Sequence, residues 1–258
     1  MPPLALVGSL SRDVVDGRPP RIGGGAFHGA RALRAIGCRA SVLARCGRAE
    51  RPMFLRRVAA VGLPVTVLHG TQTTAFSFHY DGERRVMRVD AVGDAWSVDD
   101  LRRVEPRAWV HVAPLLRSDF SAETLGALAR GRRVSFDGQG LVRVPEVGPL
   151  RLDADYAAGV LEHVSILKLA EEEADVVGSV DRLGVPEVVV TFGSKGSRVY
   201  ANGRAEDVGA WPVGRDPTGS GDAFAAAYLA GRAAGHAPGA AARRATALVG
   251  ALLTGRAR

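Results

Sequence analysis

The sequence predicts a three-layer α/β/α fold: a mostly parallel central sheet, helices on both of its faces, and a small β lid. Three observations lead there. Short apolar runs alternate along the 258 residues with longer stretches whose apolar residues fall three and four apart, as strand-helix-strand crossovers require. Hydrophobic residues make up 47% of the chain and charged residues 24%, which supplies a full core and argues against disorder. One segment in the first third abandons the helical period for strict alternation around a turn.

Residues 4–7, 40–44, 65–68, 109–112, 134–136, 165–167 and 188–191 read as strands. Each is a nearly continuous apolar run, as strands buried on both faces must be. Residues 26–36, 53–61, 122–129 and 171–177 read as helices between them, and 221–234 and 238–253 as two closing helices. Two stretches break the rhythm. The first is 14–22, with Asp16-Gly17 and Pro19-Pro20; the second is 73–90. In the latter, Phe76, Phe78 and Tyr80 alternate with Ala75, Ser77 and His79, Asp81-Gly82 supplies a turn, and 84–89 runs back. That is a hairpin, and a hairpin inserted into an α/β chain is placed to close over a site. An antiparallel extension of the main sheet's edge would give the same pattern. Residues 1–258 are expected to form one domain, with 14–22 and 73–90 as the lid.

The formal net charge of +7 would by itself suit an acidic partner. Its distribution does not. Lys168 and Lys195 are the only lysines, so nearly all the positive charge is arginine, scattered in ones and twos without a basic tail. No nucleic-acid partner is expected; Arg84, Arg85 and Arg88 on the hairpin are the one patch that could support it. Cys38 and Cys46 match no metal or redox spacing and read as buried apolar residues in a reducing compartment. The first thirteen residues lack the basic segment of a signal peptide, and no apolar run is long enough to span a bilayer. A cytoplasmic protein without membrane contact is the expectation.

The most informative residues are Asp216-Pro217-Thr218-Gly219-Ser220-Gly221-Asp222-Ala223-Phe224. A loop of small residues opens directly into an Ala-rich helix. The amides of Gly219, Ser220 and Gly221 would face outward at that helix start, where the helix dipole favours an anion. Asp222 would repel a phosphate there unless a hydroxyl lay between them. A carboxylate that takes the hydroxyl's proton while amides hold the transferred group satisfies both. A plain helix start with a capping Asp uses the same residues.

As a whole the segment resembles the Asp-Thr-x-Gly-Ala-Gly-Asp signature of the PfkB, or ribokinase-like, carbohydrate kinases, with Pro217 and Ser220 as substitutions that keep the loop small. Other segments are similar to the same family. Gly23-Gly24-Gly25-Ala26-Phe27-His28 resembles its N-terminal double glycine, with His28 at the family's Asn; a dinucleotide fingerprint fails there because His28 stands at the third glycine. Gly193-Ser194-Lys195-Gly196 is too short for a Walker A loop.

That resemblance implies an ATP-dependent kinase acting on a hydroxyl of a sugar, nucleoside or inositol. It implies Asp222 as base with Gly219, Ser220 and Gly221 as anion hole, and Ser11, Asp13, Gly23, Gly24, Gly25 and His28 around the substrate. Thr191, Gly193, Gly196, Lys168 and Thr218 would meet the nucleotide. Glu173 would act on Mg²⁺ through water, although Ala170 stands where the family often has Asn. Asp137-Gly138-Gln139-Gly140-Leu141-Val142-Arg143 looks like an element of nucleoside and inositol kinases in the family; a structural turn held by Asp137 and Arg143 is the alternative. The resemblance further implies a monovalent cation near Asp216 and allows pairing of lids into a homodimer. A nucleotide- or sugar-binding protein of the same fold that has lost catalysis is the rival expectation, with Ala170 as its support.

Overall fold

The computed structural model describes residues 2–81, 84–213 and 217–256. Strands β1 (Leu4–Ser9), β2 (Ser11–Val15) and β3 (Arg21–Gly23) lead into α1 (Gly25–Ala35). Then come β4 (Ala40–Gly47), α2 (Arg51–Ala59), β5 (Val65–Gly70) and the hairpin β6 (Thr74–Asp81) and β7 (Arg84–Ala91). The middle holds α3 (Val98–Leu101), β8 (Trp109–Ala113), α4 (Ala122–Ala129), β9 (Arg133–Asp137), α5 (Gln139–Val142) and β10 (Gly148–Pro149). The rest is β11 (Ile166–Ala170), α6 (Glu171–Val177), β12 (Glu187–Thr191), β13 (Ser197–Ala201), β14 (Arg204–Val208), α7 (Ser220–Ala233) and α8 (Pro238–Leu253).

Nine strands form the main sheet in the order β14-β13-β12-β11-β9-β8-β1-β4-β5. From β12 to β5 every pairing is parallel; β13 and β14 add an antiparallel edge. The pleat sends alternate residues to opposite faces. Ala5, Val7, Val134, Phe136, Leu167 and Leu169 pack with Leu125 and Leu128 of α4 on one side. Leu4 and Leu6 pack with Ala26, Ala30 and Leu33 of α1 and Phe54 of α2 on the other. Both layers are built from residues removed from water, each such side chain contributing about 1.5–3 kcal/mol. Cys38 and Cys46 are free and buried in the α1–α2 layer. Burial, with Glu50 adding, pushes the Cys46 thiol up to about 11.

Helix α7 covers the same face as α1 and is fixed near its far end. Tyr228 donates to Glu187 at 2.5 Å, and Arg232 Nε lies 2.9 and 3.0 Å from the two Glu187 oxygens. Glu187 begins β12 and is buried. A buried ion pair adds little net stability but fixes geometry. This one sets how far the start of α7 reaches past the carboxyl ends of the strands.

The hairpin is not an extension of the main sheet. It belongs to a second sheet of order β10-β7-β6-β2-β3, in which β2 and β6 are parallel and the other pairs antiparallel. Val15, Phe76, Phe78 and Val89 pack one face of it onto Leu115 and Leu116. Its boundary differs from the expected 14–22. Strand β2 starts at Ser11, and its inward positions Ser11, Asp13 and Val15 are buried in alternation. Two polar residues on the inward face concealed that period. The edge strands β13 and β14 were also unexpected. Their turn, Asn202-Gly203, has φ of 52° and 70°, the left-handed pair that tight hairpins need; the dipeptide was the available signal. The Asp81-Gly82 turn lies partly outside the described residues, as do the side chains of Arg84 and Arg85; Arg88 pairs with Asp90 at 3.5 Å. Among the described residues no helix is long and apolar enough to cross a membrane.

Candidate active site

The start of α7 lies at the carboxyl ends of β8, β9 and β11, where an open parallel sheet places its ligands. Gly219 is its N-cap in the left-handed region, φ 79°. A side chain there would be strained, and its Cβ would lie 2.3 Å from Cγ and Nδ1 of His28. The His28 ring is thus seated on the loop. Of the three amides expected to face an anion, that of Ser220 is donated to Pro217 O at 2.9 Å, because the left-handed glycine closes a turn over it. The first bond of the helix proper runs from Ala223 N to Gly219 O. The amides of Ser220, Gly221 and Asp222 belong to the first turn of the helix, where backbone N–H groups precede the regular ladder. Asp216 lies outside the described residues, so the expected monovalent-cation position does too.

Asp222 is the third residue of α7 and is half-buried. Its Oδ1 lies 2.8 Å from where a Cβ on Gly25 would be. The glycine triplet thus meets the α7 carboxylate directly. Gly24 has φ 92°, and a Cβ on it would come within 2.5 Å of Ser9 O, so only glycine lets β3 turn into α1 here. Opposite Gly23, Ser11 and Asp13 project from β2: a Cβ on Gly23 would lie 2.0 Å from Asp13 Oδ2 and 2.7 Å from Ser11 Oγ. Ser11, Asp13, Gly23, Gly24, Gly25, His28 and Asp222 are therefore one constellation, contributed by both sheets.

Beneath α7 lies a layer of buried charge. Register pairs His111 with Ser135 and Lys168 with Asp137, all on the α7 face among Ile166 and Val189. Lys168 Nζ is 3.5 Å from Asp137 Oδ2 and 3.2 Å from a Cβ position on Gly221. Burial favours a neutral Lys168, but Asp137, Glu173 and Asp222 more than offset it and hold the ammonium above its ordinary range. Burial, with Asp222 adding, raises the Asp137 carboxyl against the pull of Lys168 and Arg143. Gln139 Nε2 donates to Pro114 O at 2.6 Å, and Arg143 lies 3.8 Å from Glu173. The Asp137–Arg143 element thus braces this layer. Lys168, expected at the nucleotide, sits under the start of α7 and not on the wall of the cleft described next.

That cleft is about 1300 Å³ and lies between the second sheet, the β12 end and α8. Thr191, Gly193, Gly196, Ser220 and Gly221 line it, while Thr218 lines a smaller neighbouring cavity. The Thr191 hydroxyl donates to Leu169 O at 3.2 Å. Sequence reasoning missed other parts of the lining, among them Ala247, Val249 and Leu253 of α8, the 89%-exposed Trp211, and Arg18, Arg21, Arg243 and Arg256. Only folding brings these distant positions together, so no local motif announced them.

Among the described residues no cluster of three His, Cys, Asp or Glu side chains could hold a metal ion. Glu173 is committed: Oε2 accepts Ala170 N–H at 2.8 Å and Oε1 faces Arg143. With Ala170 supplying no ligand, these residues fit Mg²⁺ only through water, as a guest of donor phosphates.

The pattern of pfkB family carbohydrate kinases matches residues 20–256. The chain belongs to this family. Among curated relatives, an inositol 3-kinase of Zea mays is 30% identical over 175 residues, covering 65% of this chain and 45% of that protein. An inositol 3-kinase of Oryza sativa subsp. japonica is 28% identical over 249 residues, covering 88% and 62%. This pfkB chain therefore spans less than two thirds of the length of these relatives. Among solved structures, a sulfate complex of a pyrophosphate-dependent kinase in the ribokinase family superposes with a TM-score of 0.87 at 26% identity, covering 97% of this chain and 95% of that one. Such a kinase bound to a pyrophosphate analogue and myo-inositol gives 0.85 at 25%, with the same coverage.

Proposed function

We propose that the chain is a small-molecule kinase that transfers a phosphoryl group from ATP to a hydroxyl of a cyclic polyol, an inositol foremost. The observation that carries this reading is the meeting of Asp222 with the glycine triplet, next in sequence to Gly221 on the cleft wall. The carboxylate is within reach of a hydroxyl resting on Gly23–Gly25, and the α7 amides lie beside it. Asp222 would take the hydroxyl proton as the bond to phosphorus forms. The amides of Gly221 and its neighbours, with the Lys168 ammonium beneath them, would stabilise the charge on the transferred group. Ser11 and Asp13 suit adjacent hydroxyls, the serine giving and the carboxylate accepting hydrogen bonds. Mg²⁺ bound to the donor phosphates would neutralise part of their charge, and Glu173 would order water near it. The inositol 3-kinase relatives support the acceptor class.

For the donor, the apolar wall of Ala247, Val249 and Leu253 in a cleft of about 1300 Å³ supports a purine nucleotide. Pyrophosphate is a second reading. The two pyrophosphate-dependent neighbours and the four arginines on the cleft wall favour it. The two free, buried thiols support a reducing compartment such as the cytoplasm.

A transfer assay with ATP or pyrophosphate against inositols, nucleosides and monosaccharides tests the reading. Transfer to an inositol is expected, reduced on the order of 10²- to 10⁴-fold in kcat by Asp222→Asn with donor affinity kept. Donor binding without transfer to any acceptor would instead identify a binding protein that has lost catalysis.

A further inference from the structure

A second cavity of about 420 Å³ lies on the outer side of α1, bounded by β3, α1 and α2. Part of its lining is apolar: Phe27, the exposed Met53 and the fully buried Phe54. Three guanidinium side chains line it, Arg21 of β3, Arg31 of α1 and Arg57 of α2, and no carboxylate is among its lining residues. Arg31 stands 5.9 Å from the Phe27 ring centroid. Among the described residues neither Arg31 nor Arg57 has an ion-pair partner. Their distinction is convergence: three guanidinium groups from three separate elements meet on one cavity with no carboxylate on its wall.

We infer that this cavity binds a phosphomonoester, its phosphate held by Arg31, Arg57 and Arg21 and its body resting on Phe27, Met53 and Phe54. Guanidinium forks from three elements can surround a tetrahedral dianion, each giving charge-assisted hydrogen bonds. The apolar part of the lining rewards a ligand with a ring or carbon skeleton over the bare ion. Neither Arg31 nor Arg57 lines the larger cleft, while His28 and Thr218 on this cavity's wall make it a neighbour of the proposed kinase site. Arg21 belongs to the walls of both cavities, and His28 joins this one to the α7 loop. An occupant would therefore sit one side chain away from the donor.

Calorimetric titration with phenyl phosphate and with inorganic phosphate tests the assignment. Three forms of the full chain are compared: wild type, Arg31→Gln/Arg57→Gln, and Arg34→Gln/Arg56→Gln. The last loses the same charge from exposed positions of the same helices outside the cavity. Thermal unfolding of all three verifies that they fold alike. Phenyl phosphate is expected to bind wild type more tightly than inorganic phosphate. The cavity variant should bind it about tenfold or more weakly for each guanidinium removed, and the control variant as wild type does. Equal weakening in both variants, or no binding of phenyl phosphate to wild type, would overturn the site. Equal affinity for the two probes would overturn the choice of a phosphomonoester over the free ion.

Discussion

The two sheets of this molecule are built on opposite plans. The nine-stranded sheet is clothed on both faces, its parallel strands are mostly apolar, and buried polar residues such as Asp137 and Lys168 are held by register and ion pairs. The five-stranded sheet packs one face, through Val15, Phe76, Phe78 and Val89, onto two leucines. The candidate site is shared between them: Asp222 and Gly25 rest on the large sheet's helices, while Ser11, Asp13 and Gly23 belong to the small sheet. In the proposed reaction the rigid partner carries the base and anion loop, and the lightly anchored partner carries the contacts to the acceptor. Chemistry and acceptor recognition should therefore fail separately.

Asp222→Asn gives the largest effect expected, a loss on the order of 10²- to 10⁴-fold in kcat with little change in stability. Steady-state kinetics beside denaturant unfolding would separate the two. Phe76→Ala strikes the other partner. Emptying a fully buried phenyl site costs about 3–5 kcal/mol, concentrated in the small sheet's single cluster. The expected result is a raised KM for the acceptor with donor affinity unchanged. A parallel loss of donor affinity would show that the sheets do not act separately.

The comparison sharpens under titration. His111 lies within the large sheet, its Nδ1 3.2 Å from Ser135 Oγ and its Nε2 without a hydrogen-bond partner among the described residues. Burial, with the Lys168 ammonium adding, lowers it to about 4. Asp119 lies at the seam between the sheets, accepting from Ser9 Oγ at 3.0 Å and Leu115 N–H at 2.9 Å. Burial raises it to about 6. Between pH 4 and about 6.5 the unfolded chain protonates His111 and the folded one does not, so stability from this group rises with pH by about 3 kcal/mol. For Asp119 the folded state holds the extra proton between pH 3.8 and about 6, so stability from it falls with pH by a similar amount. The two largely cancel in the wild type. Urea unfolding of His111→Asn at several pH values should uncover a stability that declines from pH 4 to 6; a profile parallel to wild type would mean that His111 titrates freely.

Trp211→Ala gives the smallest effect on stability, within about 0.5 kcal/mol, as expected for a side chain this exposed. Its use is to sort the donors. If a purine base lies along the apolar wall, the KM for ATP rises and that for pyrophosphate does not.

Much of the fold and of the candidate site's geometry was legible beforehand where it was written in consecutive residues. The run from Pro217 to Asp222 announced a loop, a helix start and a carboxylate in register, and the triplet Gly23–Gly25 announced the surface it meets. Legibility ended where the same ends were reached across space. Ser11 and Asp13 hid a strand because they are polar at inward, buried positions where a strand pattern calls for apolar residues. The spent amide of Ser220 depends on one dihedral angle at Gly219. The arginines around the two cavities come from separate stretches of the chain, and no spacing encodes their meeting.

The buried thiols have a practical consequence. Thiol reagents attack the thiolate, and Cys38 and Cys46 are both sealed in the α1–α2 layer with Cys46 held near 11. The native chain should be silent to maleimides at neutral pH, and the rate at which it becomes labelled would time the opening of that layer. A single cysteine introduced on the exposed part of the small sheet could then carry a dye with both native cysteines left in place, so that the sheet's movement and the core's integrity could be watched in one sample.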